Sequence, residues 1–424
     1  MNIVNIVNEL ITGFKQEFNH TPEIVVSSPG RLDFLNTHQD YKGLPVVSIG
    51  VNLRSYVAIK RVKGNSAVIV SFNMKSEGKP YRDEFRVDHV NLKEKGWFGN
   101  YLRAAILALK EKGLEVHGFE AAILSQVPIG GGLGSSAAFT VSFLGALNEA
   151  YGLGLSKKDI AELAYNAEHD IAGIPCGRLD QYGSAYGGVV KIETKPPYNV
   201  EELPMKEGIF VVLDSGIKHS TAEIHPRRQA DINLGLKILL ETPNIPSEVR
   251  EKLSERYDKV LWESIREEDL LPYLKNLPKN PRKRILFTLR EHRSTLLALE
   301  IIKGKIPSVE EAISILGNSF KKDVEEALKQ SNPKLALIGV IMNQQHALLR
   351  DLYGLSLPEL EKIRNAALKA GALGVKISGA GLGGSLIALT NSLEVAKKVL
   401  KASVEGGAKR GWIVEIDSGL RRES

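Results

Sequence analysis

Two hydrophobic patterns take turns along this chain, one at helical spacing and one in short apolar runs. Val7, Leu10, Phe14 and Phe18 recur on one side of a stretch that predicts an amphipathic helix over residues 4–18. The IVV run at residues 23–28 predicts a strand, and residues 46–60 predict another, broken near Gly50. Residues 66–72 and 81–87 read as strands joined at Glu77–Gly78–Lys79–Pro80, where glycine and proline signal a turn. Residues 96–112 predict a helix packing through Tyr101, Ala104, Ile106 and Leu109. A strand over 119–125 then delivers the chain to a glycine-rich stretch, which runs into the apolar helical body 139–147. A second helix is expected over 156–168, with Ser156 as its cap and Asp159 as the capping-box acid. Strands follow at 189–192 and 208–214.

Beyond residue 214 the pattern turns helical, with helices expected over 227–240, 287–302, 308–321, 335–353, 358–370 and 394–401. Strand character returns in VKISGAGLGGSLIAL, residues 375–389, and in 411–417. The expected class is α+β in two domains: a mixed α/β domain over 1–207 and an α+β domain over 208–424. The Pro-, Lys- and Glu-rich stretch 244–283 reads as a helical, lid-like insertion.

A chain of 424 residues, 43% apolar and 25% charged, is long enough for a large core and ordinary for a soluble globular protein. The single cysteine, Cys176, excludes an intrachain disulfide framework and a zinc-finger pattern, and reads as a packed residue. The first residues lack a signal peptide's basic region and apolar core, and no apolar run is long enough to span a bilayer. A cytoplasmic protein without a membrane partner is therefore expected. The formal charge of +6 is small for this length and suits an anionic substrate. No basic stripe with interleaved aromatics points to nucleic acid. No repeat emerges, and the sequence leaves the oligomeric state open.

Chemistry concentrates in PIGGGLGSSAA, residues 128–138. Four glycines permit tight bends and close ligand approach, and Ser135 and Ser136 stand where a helix begins. Free N–H groups and the helix field at such a start favour phosphate. Neither a Walker pattern nor a dinucleotide fingerprint fits, because no Gly-Lys-Ser/Thr closes the stretch and no acid follows at the right offset. A glycine turn before a buried helix is the alternative. Asp180, in CGRLDQYGSAYGG, has the chemistry to orient or deprotonate a hydroxyl, or simply to cap a turn. Glu168 and Ser136 offer hard oxygens suited to magnesium, although Glu168 also fits a surface acid. Arg31 suits neutralising a transferred phosphate or pairing with Asp180. Asp40 and His38 suit sugar hydroxyls, or an Asx turn and a core histidine. Gly379, Gly381, Gly383 and Gly384 form a second glycine-rich turn, which fits approach to phosphate or a plain connection between strands. His169, His219, His225 and His346 lack metal-ligand spacing.

Taken together, PGRLDFLNTHQDYKG, WFGNYLRA, PIGGGLGSSAA, AEHDIAGIPCGRLDQYGS, DSGIKHS, IMNQQHALLRDLYGLSLPEL and KISGAGLGGS resemble the GHMP small-molecule kinase superfamily, and its galactokinase branch most. The resemblance runs from about residue 25 to 390. It implies a two-domain GHMP-kinase-like fold with the active site between the domains, and transfer of the ATP gamma-phosphate to a sugar hydroxyl, the anomeric one in galactokinases. It implies ATP held by Gly130, Gly131, Gly132, Gly134, Ser135, Ser136 and Ala137, and Mg2+ held by Ser136 and Glu168. Asp180 becomes the expected base, with Arg31 beside it. Thr37, His38, Asp40, Gly177 and Asp180 become the expected sugar contacts.

The sugar-side residues depart from the branch pattern GRVNLIGEHTDYNGG. Thr37 stands where the branch has a glutamate, Asn36 replaces a glycine and Lys42 an asparagine. Glu223 stands at the place of a tyrosine. Galactose leads as substrate; another aldose, an amino sugar or a uronic acid stay open, and Lys42 suits a carboxylate or points to solvent. A non-catalytic sugar sensor on the same fold is the reading from another class. Retention of Arg31, Ser136, Glu168 and Asp180 speaks against it.

Overall fold

The structure, a computed structural model, describes residues 3–218 and 221–424; the side chains of residues 3, 4 and 221–224 lie outside the described set. His219 and the Glu223 side chain therefore fall outside it. The fold is mixed α+β in two compact units that interleave along the chain. One gathers Met1–Leu32, Ile49–Gly188 and Asp417–Ser424; the other gathers Asp33–Ser48 and Val189–Ile416. A single cut after residue 207 does not describe this grouping, because the chain leaves the first unit for residues 33–48 and returns to it at its end.

The first unit begins with helix α1 (Ile3–Phe18), followed by β1 (Ile24–Leu35), β2 (Val46–Arg61), β3 (Ser66–Ser71), helix α2 (Phe72–Ser76), β4 (Arg82–Arg86), helix α3 (Asn100–Glu111) and β5 (Phe119–Ser125). Its sheet runs β12-β1-β2-β5-β3-β4, where β12 is the chain's last strand, Arg421–Arg422. Strand β5 pairs antiparallel with β2, from Ser55↔Ser125 to Arg61↔Phe119, and parallel with β3. The apolar stripe of α1 does what its spacing predicts. Leu10 and Phe14 are fully buried against Tyr56, Ala58, Val70 and Ala122, each burial contributing about 1.5–3 kcal/mol.

Strand β5 leads through the glycine loop into helix α4 (Ser135–Tyr151). Eleven of its residues are buried, Ala137 to Ala150, so it lies inside the unit and anchors the loop before it. Helix α5 (Lys157–Asn166) carries the expected capping box between Ser156 and Asp159. It stops short of residue 168 and passes into a π-helical turn, Ala167–Ile171, which holds Glu168. Helix α6 (Leu179–Tyr186) follows, and the unit gains its last strand only when the chain returns at Asp417–Ser424.

The second unit contains β6 (Val189–Ile192) antiparallel to β7 (Val200–Leu203), then β8 (Ile209–Asp214) and helix α7 (Thr221–Glu241). Helices α8 (Ser247–Arg250) and α9 (Glu267–Leu274) lie in the stretch read as an insertion. That stretch shares a core with the helices on either side of it. Val260, Trp262, Leu270 and Leu274 pack with Ile232 and Leu236 of α7 and with Ile285 and Leu289 of helix α10 (Lys279–Ile302). Helices α11 (Val309–Leu316), α12 (Lys321–Leu328), α13 (Pro333–Asp351) and α14 (Pro358–Lys369) follow. Strands β9 (Gly374–Ser378) and β10 (Ser385–Thr390), helix α15 (Leu393–Glu405) and β11 (Arg410–Glu415) end the unit. The sheet β11-β8-β10-β9 is antiparallel throughout. The second glycine turn is thus the hairpin connection of β9 and β10.

Candidate active site

The glycine loop and its surroundings lie within the first unit. Gly134 is the N-cap of α4 at φ 68°, ψ 44°, left-handed backbone that glycine adopts without strain. No side chain caps the helix, so its first N–H groups start without a side-chain partner. The loop is fastened from below by Arg31. Its backbone N–H donates to Leu133 O at 2.8 Å, and its Nη1 donates to Gly132 O at 2.6 Å. A Cβ on Gly134 would stand 3.1 Å from Arg31 Cγ, so a side chain at this position would crowd Arg31.

Arg31 also grips Asp180 with a planar fork: Nε to Oδ1 at 2.7 Å and Nη2 to Oδ2 at 2.6 Å. Such bidentate, charge-assisted pairs fix geometry as well as charge. Asp180, in a run flanked by glycines, stands in the first turn of α6, where the helix field favours a carboxylate. Its side chain remains 30% exposed, against 12% for Arg31. The pairing reading of Arg31 holds, and its guanidinium ties loop and acid into one assembly. Gly177, two residues before α6, is exposed.

Glu168 is nearly sealed from solvent, 2% exposed, and its Oε1 has no hydrogen-bond partner. Burial pushes its carboxyl up to about 7; the nearby Ser136 hydroxyl pulls it down, while the Asp180 charge adds to the rise. The surface-acid reading of Glu168 therefore fails. Thr140 donates to Ser136 O at 2.9 Å and, with Gln181, completes the surroundings of this carboxylate. An orphaned buried carboxylate oxygen beside a serine hydroxyl and a second carboxylate fits a small hard cation, which favours oxygen donors and takes few of them from protein. Among the described residues no group of three or more His, Cys, Asp and Glu forms a metal cluster. Cys176 is half-buried, and burial pushes its thiol up to about 12, the state of an inert thiol.

Residues 33–48 belong to the second unit and are arranged differently. Asn36 and His38 both have left-handed backbone, at φ 66° and 65°. Asparagine tolerates that region better than most residues, which explains how it serves at a glycine's place. Thr37 is 1% exposed and fully engaged: its hydroxyl donates to Asp33 Oδ1 at 3.0 Å and accepts from Lys376 Nζ at 2.6 Å. His38 Nε2 lies 3.0 Å from Ala380 O in the second glycine turn, and a carbonyl only accepts, so the ring carries its proton there. Its Nδ1 is left to accept from Tyr41 OH at 3.3 Å. Burial holds His38 well below the usual imidazole range, helped by His225 and Lys42. Asp40 opens a short 3-10 turn, Asp40–Lys42, and is half-buried. Lys42 does not point to solvent. It is fully buried, donates to Gln39 Oε1 at 3.2 Å, and stands over the rings of Tyr353 and Phe287 at 4.7 and 4.8 Å.

The comparisons with known proteins meet this geometry. Residues 12–61 match the galactokinase galactose-binding signature, 100–188 the GHMP kinases N terminal domain and 323–407 the GHMP kinases C terminal family. The chain belongs to the GHMP kinase superfamily, in its galactokinase branch. It is 29% identical to the galactokinase of Thermococcus kodakarensis over 369 residues, covering 86% of this chain and 88% of that one. It is 27% identical to the galactokinase of Pyrococcus furiosus, covering 92% and 95%. Its fold is similar to that of Lactococcus lactis galactokinase complexed with galactose, at TM-score 0.76 and 23% identity over 98% and 99% of the two chains. Methanococcus jannaschii mevalonate kinase is a more distant likeness, at TM-score 0.60 and 20% identity over 93% and 98%.

Within this GHMP kinase, sequence reasoning passed over several residues that the fold draws to the expected sites. Thr140 and Gln181 surround Glu168. In the second unit, Lys376 bridges to Thr37, and Asp33 Oδ2 accepts from Gly379 N at 3.2 Å. His225 of α7 packs edge-on to His38 at 5.1 Å. Glu291 of α10 is fully buried with neither oxygen partnered. Lys376 precedes the second glycine turn, a local signal; Glu291, one acid in a long helix, gives none. Among the described residues no helix is long and apolar enough to cross a membrane.

Proposed function

We propose that this small-molecule kinase is a sugar kinase, moving the gamma-phosphate of ATP to a sugar hydroxyl, the anomeric one. The observation that carries the reading is the Arg31–Asp180 fork fastened to the glycine loop at Gly132. The proposed ATP contacts, Gly130, Gly131, Gly132, Gly134, Ser135, Ser136 and Ala137, surround a helix start that suits phosphate oxygens. Asp180, held in one orientation by Arg31, accepts the hydrogen bond of the acceptor hydroxyl and aims its oxygen. As the hydroxyl oxygen bonds to the gamma-phosphorus, the bond from that phosphorus to the ADP oxygen breaks, and the hydroxyl proton passes to Asp180 or to water. Arg31 offsets negative charge at the transferred group. Ser136 and Glu168 would hold magnesium, which supplies charge neutralisation on the phosphates when bound. Thr37, His38, Asp40 and Gly177 are the proposed sugar side. Of these Asp40 is the one acid, and the two oxygens of a carboxylate suit a pair of sugar hydroxyls.

The relatives named galactokinase make galactose the first sugar to try. The residues at 36, 37 and 42 depart from the branch, so galactose is not expected to dominate a panel of galactose, glucose, N-acetylgalactosamine, arabinose and galacturonate. A carboxylate-bearing sugar gains nothing from Lys42, which is sealed among aromatic rings. Magnesium-dependent ADP release with each sugar tests both statements. Release with none of them, in a folded protein that binds ATP, overturns the sugar kinase; a clear preference for galactose overturns the expectation on specificity.

A further inference from the structure

The end of the chain, Asp417–Ser424, is built into the first unit between the strand that carries Arg31 and the helix that carries Asp180. On one side β12 pairs with β1, Val26↔Arg422 and Ser27↔Arg421, four residues before Arg31. On the other side Leu420 N donates to Ala185 O at 3.0 Å, and Gly188 N donates to Asp417 O at 2.7 Å. At Gly419 an added Cβ would meet Ala185 O and Tyr186 O, each at 2.3 Å, so the tail backbone lies directly on the end of α6. Strand β1 and α6 also touch, through Ser28 Oγ donating to Ser184 O at 3.1 Å.

One side chain fastens this arrangement. Arg54, fully buried on β2, donates from Nε to Ser27 Oγ at 2.7 Å and from Nη2 to Ser27 O at 3.1 Å. It also reaches the tail: Nη1 to Asp417 Oδ2 at 3.0 Å and to Ser418 O at 2.7 Å, and Nη2 to Gly419 O at 2.7 Å. These five bonds use all five N–H donors of a guanidinium. Ser27 Oγ in turn donates to Glu423 Oε1 at 2.5 Å. Arg54 therefore holds β1 with one part of its fork and the tail that lies on α6 with the other. The bidentate Arg31–Asp180 pair needs β1 and α6 at a fixed separation.

We propose that Arg54 is a positioning residue for phosphoryl transfer: through the 417–424 tail it sets the spacing of β1 and α6, and so the alignment of Arg31 with Asp180. The proposal rests on the reading of that pair as the acceptor-side machinery. Lysine keeps the charge opposite Asp417 but loses the fork to Ser27, Ser418 and Gly419.

The test compares wild type, Arg54→Lys and Arg54→Met in steady state, at a temperature where circular dichroism shows each variant folded. Arg54→Lys serves if Arg54→Met does not fold. A misplacement of this kind costs about 10- to 100-fold in kcat, with KM for ATP within about twofold, because none of the Arg54 side-chain bonds goes to the glycine loop. Tyr151→Phe, which removes hydrogen bonds to His117 O and Gly118 O, supplies a destabilised control expected to keep its kcat. In an Asp180→Asn background, Arg54→Lys should cost little more, since the aligned group is already gone. A folded Arg54→Lys protein with wild-type kcat overturns the proposal, as does a full multiplicative loss in that background. If Asp180→Asn leaves turnover intact, the reading of the site fails instead. A crystal structure of Arg54→Lys then decides the clasp separately: a broken Arg31–Asp180 fork supports it and an intact one overturns it.

Discussion

The surroundings of the first glycine loop and the stretch 33–48 are both polar and largely buried, yet they treat their polar groups in opposite ways. Around the loop, capacity is left over. Asp180 is paired by Arg31 but stays 30% exposed, and Glu168 keeps an oxygen without a partner. In 33–48 Thr37, His38 and Lys42 are used up by their neighbours, and Asn36 alone keeps a buried oxygen without a hydrogen-bond partner. Thr37 is taken by Asp33 and Lys376, both nitrogens of His38 are taken, and Lys42 is packed among rings. A desolvated group with spare capacity costs stability unless a ligand completes it. A saturated group stabilises the fold and has little left to offer a ligand. The difference teaches that Thr37, proposed on the sugar side, also ties Asp33 to Lys376 within the fold.

The hardest blow to this contrast falls at Asp180. Asp180→Asn keeps size and most hydrogen bonding but removes the charge that Arg31 grips. Turnover should fall at least about 100-fold, the lower range of general-base contributions. ATP affinity by calorimetric titration should change little. Near-normal turnover in a folded variant would take Asp180 out of the mechanism.

A smaller effect is expected at Glu168. Glu168→Gln supplies a neutral amide in place of the carboxylate, and the magnesium concentration for half-maximal rate should rise by about 10-fold, as loss of one charged donor would do. An unchanged magnesium titration would leave Glu168 a buried structural acid.

On the saturated side the expectation reverses, with stability changing more than chemistry. Thr37→Val removes a hydroxyl that serves two buried charged neighbours, so denaturant unfolding should show a loss of about 1–3 kcal/mol. Turnover per folded molecule should stay within a few-fold. A large fall in kcat at unchanged stability would return Thr37 to the substrate.

The finest probe is pH. Burial pushes the Glu291 carboxyl up to about 8, with Lys376 and Lys42 pulling the other way. A raised carboxyl pKa means that the folded state holds a proton the unfolded chain releases near 4.5. Stability from this group is therefore present below 4.5 and is lost as pH rises toward 8, on the order of a few kcal/mol at most. Glu291→Gln cannot release a proton, so its stability relative to wild type should improve between pH 5 and 9. A difference that stays flat across that range would show the site charged throughout.

Much of this was legible one stretch at a time. The period of Leu10, Phe14 and Phe18 placed α1 on its sheet, and the Ser156–Asp159 spacing placed the cap of α5. The glycine stretch marked a bend into α4, and PGRLDF, PIGGGLGSSAA and KISGAGLGGS carried the family. Other features were out of reach. A π-helical turn at Ala167–Ile171 has no periodicity to betray it, so the second helix was drawn through Glu168. The helix holding Asp180 is eight residues long and begins and ends among glycines, so its pattern reads as a turn.

Local order and candidate chemistry were the sequence's to determine, because propensity, capping and glycine conformation act within a few residues. The state of each candidate was not. Whether Lys42 faces water or aromatic rings depends on Phe287 and Tyr353, more than two hundred residues away. The pairing of Arg31 with Asp180 spans 149 positions. Burial, orphaned oxygens and forked hydrogen bonds are properties of neighbours brought together by folding, and desolvation is what turns the same side chain into a ligand, a scaffold or an inert thiol.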